Sequence, residues 1–156
     1  KSPKETGKSF ISNSKLKVNF FSKYVNYPVI SDDSGLCIQA LNSKPGVYSA
    51  RLAKKHGSFL KAMKFILKKM KYKKNRKATF ICSLSYKKNG GKITSVEGRL
   101  KGNISNKILG KKGFGYDPIF IPLKKKITFG QMFKSQKIKM DHRFIAFQKL
   151  KKKIKI

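Results

Sequence analysis

Acidic residues are scarce in this sequence. Only 6 Asp and Glu stand against 39 Lys and Arg in 156 residues, for a formal net charge of +33. Tryptophan is absent, and there are two histidines and two cysteines. Cys37 and Cys82 lack the short Cys-x-x-Cys spacing of a thiolate metal site and lie in apolar runs, so they are expected to be buried, reduced thiols. No stretch approaches the roughly 20 consecutive apolar residues that a membrane-spanning helix needs. Residues 1–7 hold no apolar segment of the kind a secretory signal carries. These absences exclude a disulfide scaffold, a zinc finger and a membrane span, and they point to a cytoplasmic protein with no membrane partner.

The residues present are those of a folded chain. Hydrophobic residues make up 39 % and aromatics 12 %, too rich for a disordered polycation, and the length suits a single domain over 1–156. The positive charge has two readings. It would attract polyanions, which makes a basic nucleic-acid-binding module one hypothesis. Against that, the basic residues are 35 Lys and only 4 Arg, spread from Lys1 to Lys155. Recognition of specific bases favours Arg forks, whereas scattered Lys makes a diffuse field. Lys-, Ile- and Asn-rich composition also follows from an A/T-rich coding sequence, so no specific nucleic-acid partner is expected.

The few acids carry more information: Glu5, Asp32, Asp33, Glu97, Asp117 and Asp141. Two are adjacent, and a third ends a Gly-rich segment.

Hydrophobic periodicity orders the chain as mixed α/β. Residues 8–24 carry Phe10, Ser14, Val18 and Phe21 at helical spacing. Residues 28–31 read as a strand, 32–35 (Asp-Asp-Ser-Gly) as a turn, and 36–41 as the next strand, ending at a Pro45-Gly46 turn. Residues 58–70 form an amphipathic helix with Phe59, Leu60, Met63, Ile66, Leu67 and Met70 on its apolar face. Alternation over 78–86 predicts a half-buried strand, Asn89-Gly90-Gly91 a hairpin turn, and 92–101 the returning strand. Residues 118–122 read as a buried strand, 128–134 as a short helix or turn, and 141–153 as a final helix with Asp141 at its N-cap. His56 is expected in a solvated loop.

Three local patterns suit chemistry. Asp32-Asp33-Ser34-Gly35 places two carboxylates at a strand end, where an α/β sheet commonly binds ligands; hard oxygen donors suit Mg²⁺, and a carboxylate can activate water. Gly110-Lys111-Lys112-Gly113-Phe114-Gly115-Tyr116-Asp117 offers close backbone approach and a stacking face. It is neither a P-loop nor a dinucleotide fingerprint, because a strand follows it. Asp141-His142-Arg143 opens a helix with two side chains able to bind oxygen anions. Each alone is equally an acidic turn, a loop or a capped helix start.

In combination they resemble a family. Glu5-Thr6-Gly7-Lys8-Ser9-Phe10 with Asn13, Ser31-Asp32-Asp33-Ser34-Gly35-Leu36, Pro45-Gly46-Val47-Tyr48-Ser49-Ala50-Arg51, Gly113-Phe114-Gly115-Tyr116-Asp117-Pro118-Ile119-Phe120 and His142-Arg143 occur in order. This set is similar to the house-cleaning nucleoside triphosphate pyrophosphatases, the inosine triphosphatases or XTP/dITP diphosphatases. The resemblance implies a cytoplasmic α/β homodimer with a central mixed sheet flanked by helices. It implies Mg²⁺-dependent cleavage of ITP, dITP and XTP to the monophosphate and pyrophosphate, cleansing the nucleotide pool. By the same resemblance, Asp33 is the proton acceptor, and Asp33 or Asp32 holds Mg²⁺. Ser34, Phe114, Gly115, Tyr116, Asp117, Lys137, His142 and Arg143 contact substrate, with Phe114 stacked on the purine.

The sequence departs from the family at several points. The Thr-x-Asn-x-x-Lys phosphate loop expected well before Glu-Thr-Gly does not occur, Lys4 stands where a metal-binding Glu is usual, and Glu5 is the substitute ligand. Ser12 replaces the acid before Asn13, and Asp141 replaces the Ser before His-Arg. The expectation is a member lacking its N-terminal strand and loop, with a homologue that binds nucleotide without turnover as the alternative.

Overall fold

The computed structural model describes residues 3–155. Five helices and five strands follow in the order α1 (Phe10–Phe21), β1 (Val29–Ile38), β2 (Lys44–Pro45), α2 (Ser49–His56), α3 (Phe59–Met70), β3 (Lys77–Lys87), β4 (Ile93–Ile104), β5 (Phe120–Pro122), α4 (Lys134–Lys137) and α5 (His142–Ile154). The strands form one sheet of order β2-β1-β3-β4-β5, with β1–β2 and β4–β5 antiparallel. The α/β class read from periodicity holds. Among the described residues no helix is long and apolar enough to cross a membrane. The chain divides into two compact units, and β1, β3 and β4 each pass from one into the other.

The first unit comprises residues up to 34, 81–99 and from 142 onward. Its apolar core is small: Cys82 and Leu84 of β3 and Val96 of β4 meet Ala146 and Leu150 of α5. Gly98 lets α5 come close, since a Cβ there would collide with the His142 carbonyl and the Ala146 amide. The other face of the same strands is polar. Ser85 Oγ lies 2.7 Å from Ser14 Oγ of α1 and 2.8 Å from Ser95 Oγ, and Ser83 donates to Glu97 Oε2 at 3.0 Å.

This second face corrects the expectation of a half-buried β3. A central strand is covered on both sides, and residues 80–85 are all buried. Within this stretch Cys82 and Leu84 turn toward α5 while Ser83 and Ser85 turn to the opposite face, and each of these two buried hydroxyls has a hydrogen-bond partner or neighbour, as burial demands.

Helix α1 starts with a reciprocal cap. The Ser9 side chain accepts from the Ser12 amide at 3.1 Å, and Ser12 Oγ accepts from the Ser9 amide at 3.0 Å. Ser12 thus fills the capping role that an acid at this third helical position would fill, a contribution of about 1 kcal/mol.

The second unit comprises 35–80 and 100–141. Leu36, Ile38, Phe80, Ile104, Ile119, Phe120 and Phe129 pack with Ala62, Met63, Ile66 and Met70 of α3. Of the apolar face read for α3, Met63, Ile66 and Met70 are core and Leu67 packs against it, whereas Phe59 and Leu60 at the helix start are exposed. Ser58 caps that start, accepting the Lys61 amide at 3.1 Å. Phe80, Phe120 and Phe129 form a ring cluster with centroids 4.5 to 6.3 Å apart. Arg76 closes this unit. Its guanidinium donates to the carbonyls of Met70, Ile104 and Ser105 at 2.8, 2.9 and 2.5 Å, tying the end of α3 to the end of β4.

Two local expectations are corrected. The predicted turn at 32–35 is not a turn: β1 runs unbroken through it, with Asp33 bonded to Asn13, the Leu36 amide bonded to Ser49, and Ser31, Asp33 and Leu36 all buried. His56 is not in a loop but ends α2, with its ring 4.6 Å from that of Phe65.

Candidate active site

In an extended strand successive side chains point to opposite faces, so Asp32 and Asp33 diverge. Asp33 turns toward α1. Asn13, fully buried, donates through Nδ2 to Asp33 Oδ2 at 3.0 Å and accepts the Gly7 amide on Oδ1 at 2.8 Å. A Cβ on Gly7 would collide with the Ser12 and Asn13 side chains, so this close approach needs a glycine. One turn further along α1, Lys17 Nζ lies 2.7 Å from Glu5 Oε1 and 3.4 Å from Asp33 Oδ1. Glu5 and Asp33 therefore converge on a single cationic nitrogen.

The charges tune one another. Burial pushes the Asp33 carboxyl up, and the Asn13 amide and the Lys17 ammonium only partly offset it. Burial works against the Lys17 ammonium, but the hydrogen bond to Glu5 and the charge of Asp33 hold it above its ordinary value. A buried carboxylate raised above the usual range is a stronger base than a solvated one.

Asp32 faces α5. Arg143 donates to its Oδ2 at 2.6 Å and Ser34 Oγ donates to the same oxygen at 3.2 Å. Burial alone would raise the Asp32 carboxyl, but the Arg143 guanidinium holds it below the usual carboxylate range. His142, the first residue of α5, is buried. Cys82 lies beneath this group, its thiol pushed up by burial.

The second unit carries the remaining candidates. Asp117 and Lys137 form a buried ion pair, Lys137 Nζ to Asp117 Oδ2 at 2.7 Å. The same oxygen accepts the Phe114 amide at 2.8 Å. The Lys137 ammonium also lies 4.1 Å from the centre of the Phe114 ring. Phe114 is 57 % exposed, a large apolar residue open to solvent. Gly113 (φ +76°) and Gly115 (φ +63°) take the left-handed turn that makes this possible, and a Cβ on Gly113 would collide with the Asp117 carboxylate.

Tyr116 points inward. Its hydroxyl donates to the Ser49 carbonyl at 2.7 Å, its ring meets Phe59 edge-on at 5.2 Å, and burial pushes its pKa up to about 12. It braces the loop from behind, and Ser49 in turn donates to the Gly46 carbonyl and accepts the Leu36 amide. The motif around Pro45–Arg51 thus supports the aromatic loop.

The structure brings Glu5 and Asp33 together in one unit and gathers Phe114, Gly115, Tyr116, Asp117 and Lys137 in the other. It does not join Asp32 to Glu5 and Asp33. Lys17 was missed by the sequence reading; its signal was its position one turn after Asn13 on the inward face of α1, hidden among 35 lysines.

Two hard-oxygen carboxylates reaching one cationic nitrogen form a donor set that fits Mg²⁺, which commonly takes one or two protein carboxylates and completes its shell with water and phosphate oxygens. Among the described residues no group of three or more His, Cys, Asp or Glu could hold a metal.

Comparison with known proteins identifies the family. The Ham1 family pattern matches residues 1–153. A protein of Dictyoglomus thermophilum named dITP/XTP pyrophosphatase is 45 % identical over 154 residues, 96 % of this chain and 74 % of that one. One of the same name from Borrelia duttonii is 46 % identical, over 96 % and 78 % of the two chains. Among solved structures, the Staphylococcus aureus Ham1 protein matches with a TM-score of 0.91 at 37 % identity, over 97 % of this chain and 79 % of that one. A HAM1 protein from Coxiella burnetii matches with a TM-score of 0.92 at 31 % identity, over 99 % and 81 %. The chain belongs to the Ham1 family.

Proposed function

We propose that this protein is a hydrolase of non-canonical purine nucleoside triphosphates, releasing the monophosphate and pyrophosphate from ITP, dITP and XTP. The observation that carries the reading is Asp33, a buried carboxylate with a raised pKa held beside Glu5, in a chain 45 % identical to a dITP/XTP pyrophosphatase.

Asp33 accepts a proton from water as the water oxygen bonds to the α-phosphorus. The bond from that phosphorus to the α–β bridging oxygen breaks, and pyrophosphate leaves with the electron pair. Asn13 orients the base, leaving its second oxygen toward Lys17. Glu5 and Asp33 would hold Mg²⁺, which when bound neutralises the charge of the phosphates. Lys17 supplies positive charge at the same place and keeps both carboxylates turned inward.

Phe114 presents its exposed face to the purine, backed by the Lys137 ammonium and fixed by the Asp117 bond to its amide. Ser34, His142 and Arg143 bind the phosphates and the base edge. Hydrogen bonds donated to a 6-keto group would favour hypoxanthine and xanthine over adenine, because a 6-amino group would leave buried donors unpaired.

The test is pyrophosphate release from ITP, XTP, ATP and GTP with Mg²⁺. Preference for ITP and XTP supports the reading; equal rates on all four, or none, overturn it.

A further inference from the structure

The two neighbouring aspartates hydrogen-bond to separate partners, although the Lys17 charge also acts on Asp32, and that division of contacts is the most informative feature the catalytic reading leaves unused. Asp33 is engaged by Asn13 and Lys17 of α1. Asp32 is engaged by Arg143, in the first turn of α5, and by Ser34 two residues on along β1. Both donors reach the same oxygen, Asp32 Oδ2, at 2.6 and 3.2 Å. Arg143 and Ser34 are both residues that bind substrate in the function proposed above, and this inference rests on that reading.

We propose that Asp32 is a positioning residue that holds Arg143 and Ser34 ready for the nucleotide and takes no part in holding the metal.

The geometry supports this in three ways. Strand alternation directs the Asp32 carboxylate to the α5 face, whereas Glu5 meets Asp33 through Lys17, a residue of α1. The Arg143 side chain is long and 44 % exposed, so without a fixed acceptor it would sample many rotamers, and ordering it on binding would cost affinity. The root of Arg143 is already fixed, because α5 is seated against β4 by the close approach at Gly98 and by the packing of Ala146 and Leu150. The far end of the side chain is the guanidinium, and Asp32 Oδ2 accepts from it at 2.6 Å. Bound to a guanidinium, Asp32 also offsets one positive charge in a strongly basic chain.

The test uses the whole chain and the variants Asp32→Asn, Asp32→Glu, Arg143→Gln and the double variant Asp32→Asn/Arg143→Gln. Four quantities are read: KM and kcat for ITP, the Mg²⁺ concentration at half-maximal rate, Mg²⁺ binding to the nucleotide-free chain by calorimetry, and the ¹⁵Nε relaxation of Arg143. Asp32→Asn is expected to raise KM about fivefold, the scale of a partly exposed ion pair, with a smaller change in kcat. Its Mg²⁺ dependence and Mg²⁺ binding stay within about twofold of wild type, and the Arg143 Nε becomes mobile. Asp32→Glu recovers part of the loss. On the Arg143→Gln background, removing the Asp32 charge adds only the smaller loss from its Ser34 contact, because the Arg143 contact is already gone.

A tenfold or larger weakening of Mg²⁺ binding in Asp32→Asn overturns the proposal and makes Asp32 a metal ligand. Multiplicative losses in the double variant, or an Arg143 Nε equally rigid with and without the Asp32 charge, also overturn it. If the wild-type chain turns over no triphosphate, the function proposed above has failed, and the relaxation and Mg²⁺-binding measurements still decide the role of Asp32.

Discussion

Replacing Lys137 with Met tests how the aromatic loop is held. The substitution keeps the length of the apolar stem and removes the ammonium that faces Asp117. The Asp117 side chain is 2 % exposed and that of Lys137 6 %, so solvent cannot stand in for the lost charge. Breaking such a pair generally costs about 3–5 kcal/mol.

The carboxyl has one escape, which is to take up a proton. Its ordinary value is 3.8, and the gap of about 3 units to pH 7, at about 1.4 kcal/mol per unit, caps the penalty near 4 kcal/mol. Burial already holds the wild-type carboxyl above its ordinary value, with Lys137 and the Phe114 amide opposing, so part of that cost is present before the substitution. A loss of about 3 kcal/mol at pH 7 is expected, a fall in Tm of about 6–12 °C.

The pH dependence gives the sign. A buried acid whose folded pKa is raised carries no charge penalty below its unfolded pKa, and the penalty grows as pH rises toward the folded one. Lys137→Met is therefore destabilised by only about 1 kcal/mol at pH 5 and by more at pH 7. Adding Asp117→Asn removes the buried charge, keeps an acceptor for the Phe114 amide and restores most of the stability. Urea unfolding at the two pH values measures all of this. Equal losses at pH 5 and 7, or no recovery in the double variant, would refute the reasoning.

Further outcomes follow from the same geometry. Asp33→Asn is expected to lower kcat by about 10²–10⁴-fold while the chain still unfolds cooperatively, measured by pyrophosphate release and circular dichroism. Phe114→Ala, at an exposed ring, should raise KM for ITP about tenfold with no more than ~0.5 kcal/mol change in stability. Gly113→Ala combines backbone strain with a Cβ driven onto Asp117 and should cost about 2 kcal/mol or more, whereas Gly57→Ala, where nothing lies within 4 Å, should cost only about 1. Denaturant unfolding of the two variants side by side compares them. Chelation of Mg²⁺ should abolish pyrophosphate release and its return restore it, which a coupled phosphate assay reads.

Much of this was legible in the residues. The apolar spacing of α3, the hairpin at Asn89–Gly91 and the aromatic loop ending at Asp117 follow from short-range rules of pattern and turn chemistry, and the structure keeps them. What was not legible has a common cause in tertiary pairing. Asp-Asp-Ser-Gly has the composition of a turn, yet it stays extended because Asn13, Lys17 and Arg143, distant in sequence, satisfy its polar groups. Helix α1 reads as amphipathic around Phe10, Ser14 and Val18, but its buried face also carries Asn13, which no hydropathy pattern would place inside. Lys17 was hidden by abundance. In a chain with 35 lysines, composition cannot mark the one that lies between two carboxylates.

The same holds for charge in general. The acids were readable because they are few, and the structure gives Glu5, Asp32, Asp33, Glu97 and Asp117 each a basic partner. The large excess of Lys remains a diffuse surface field that would favour encounter with triphosphates at low salt.

The most direct measurement is the product analysis of ITP and ATP incubated with the purified chain and Mg²⁺, resolving monophosphate and pyrophosphate from diphosphate and phosphate. The account predicts inosine monophosphate and pyrophosphate in equal amounts, formed much faster than the products from ATP. Diphosphate and phosphate as products, or ATP consumed as fast as ITP, would contradict it.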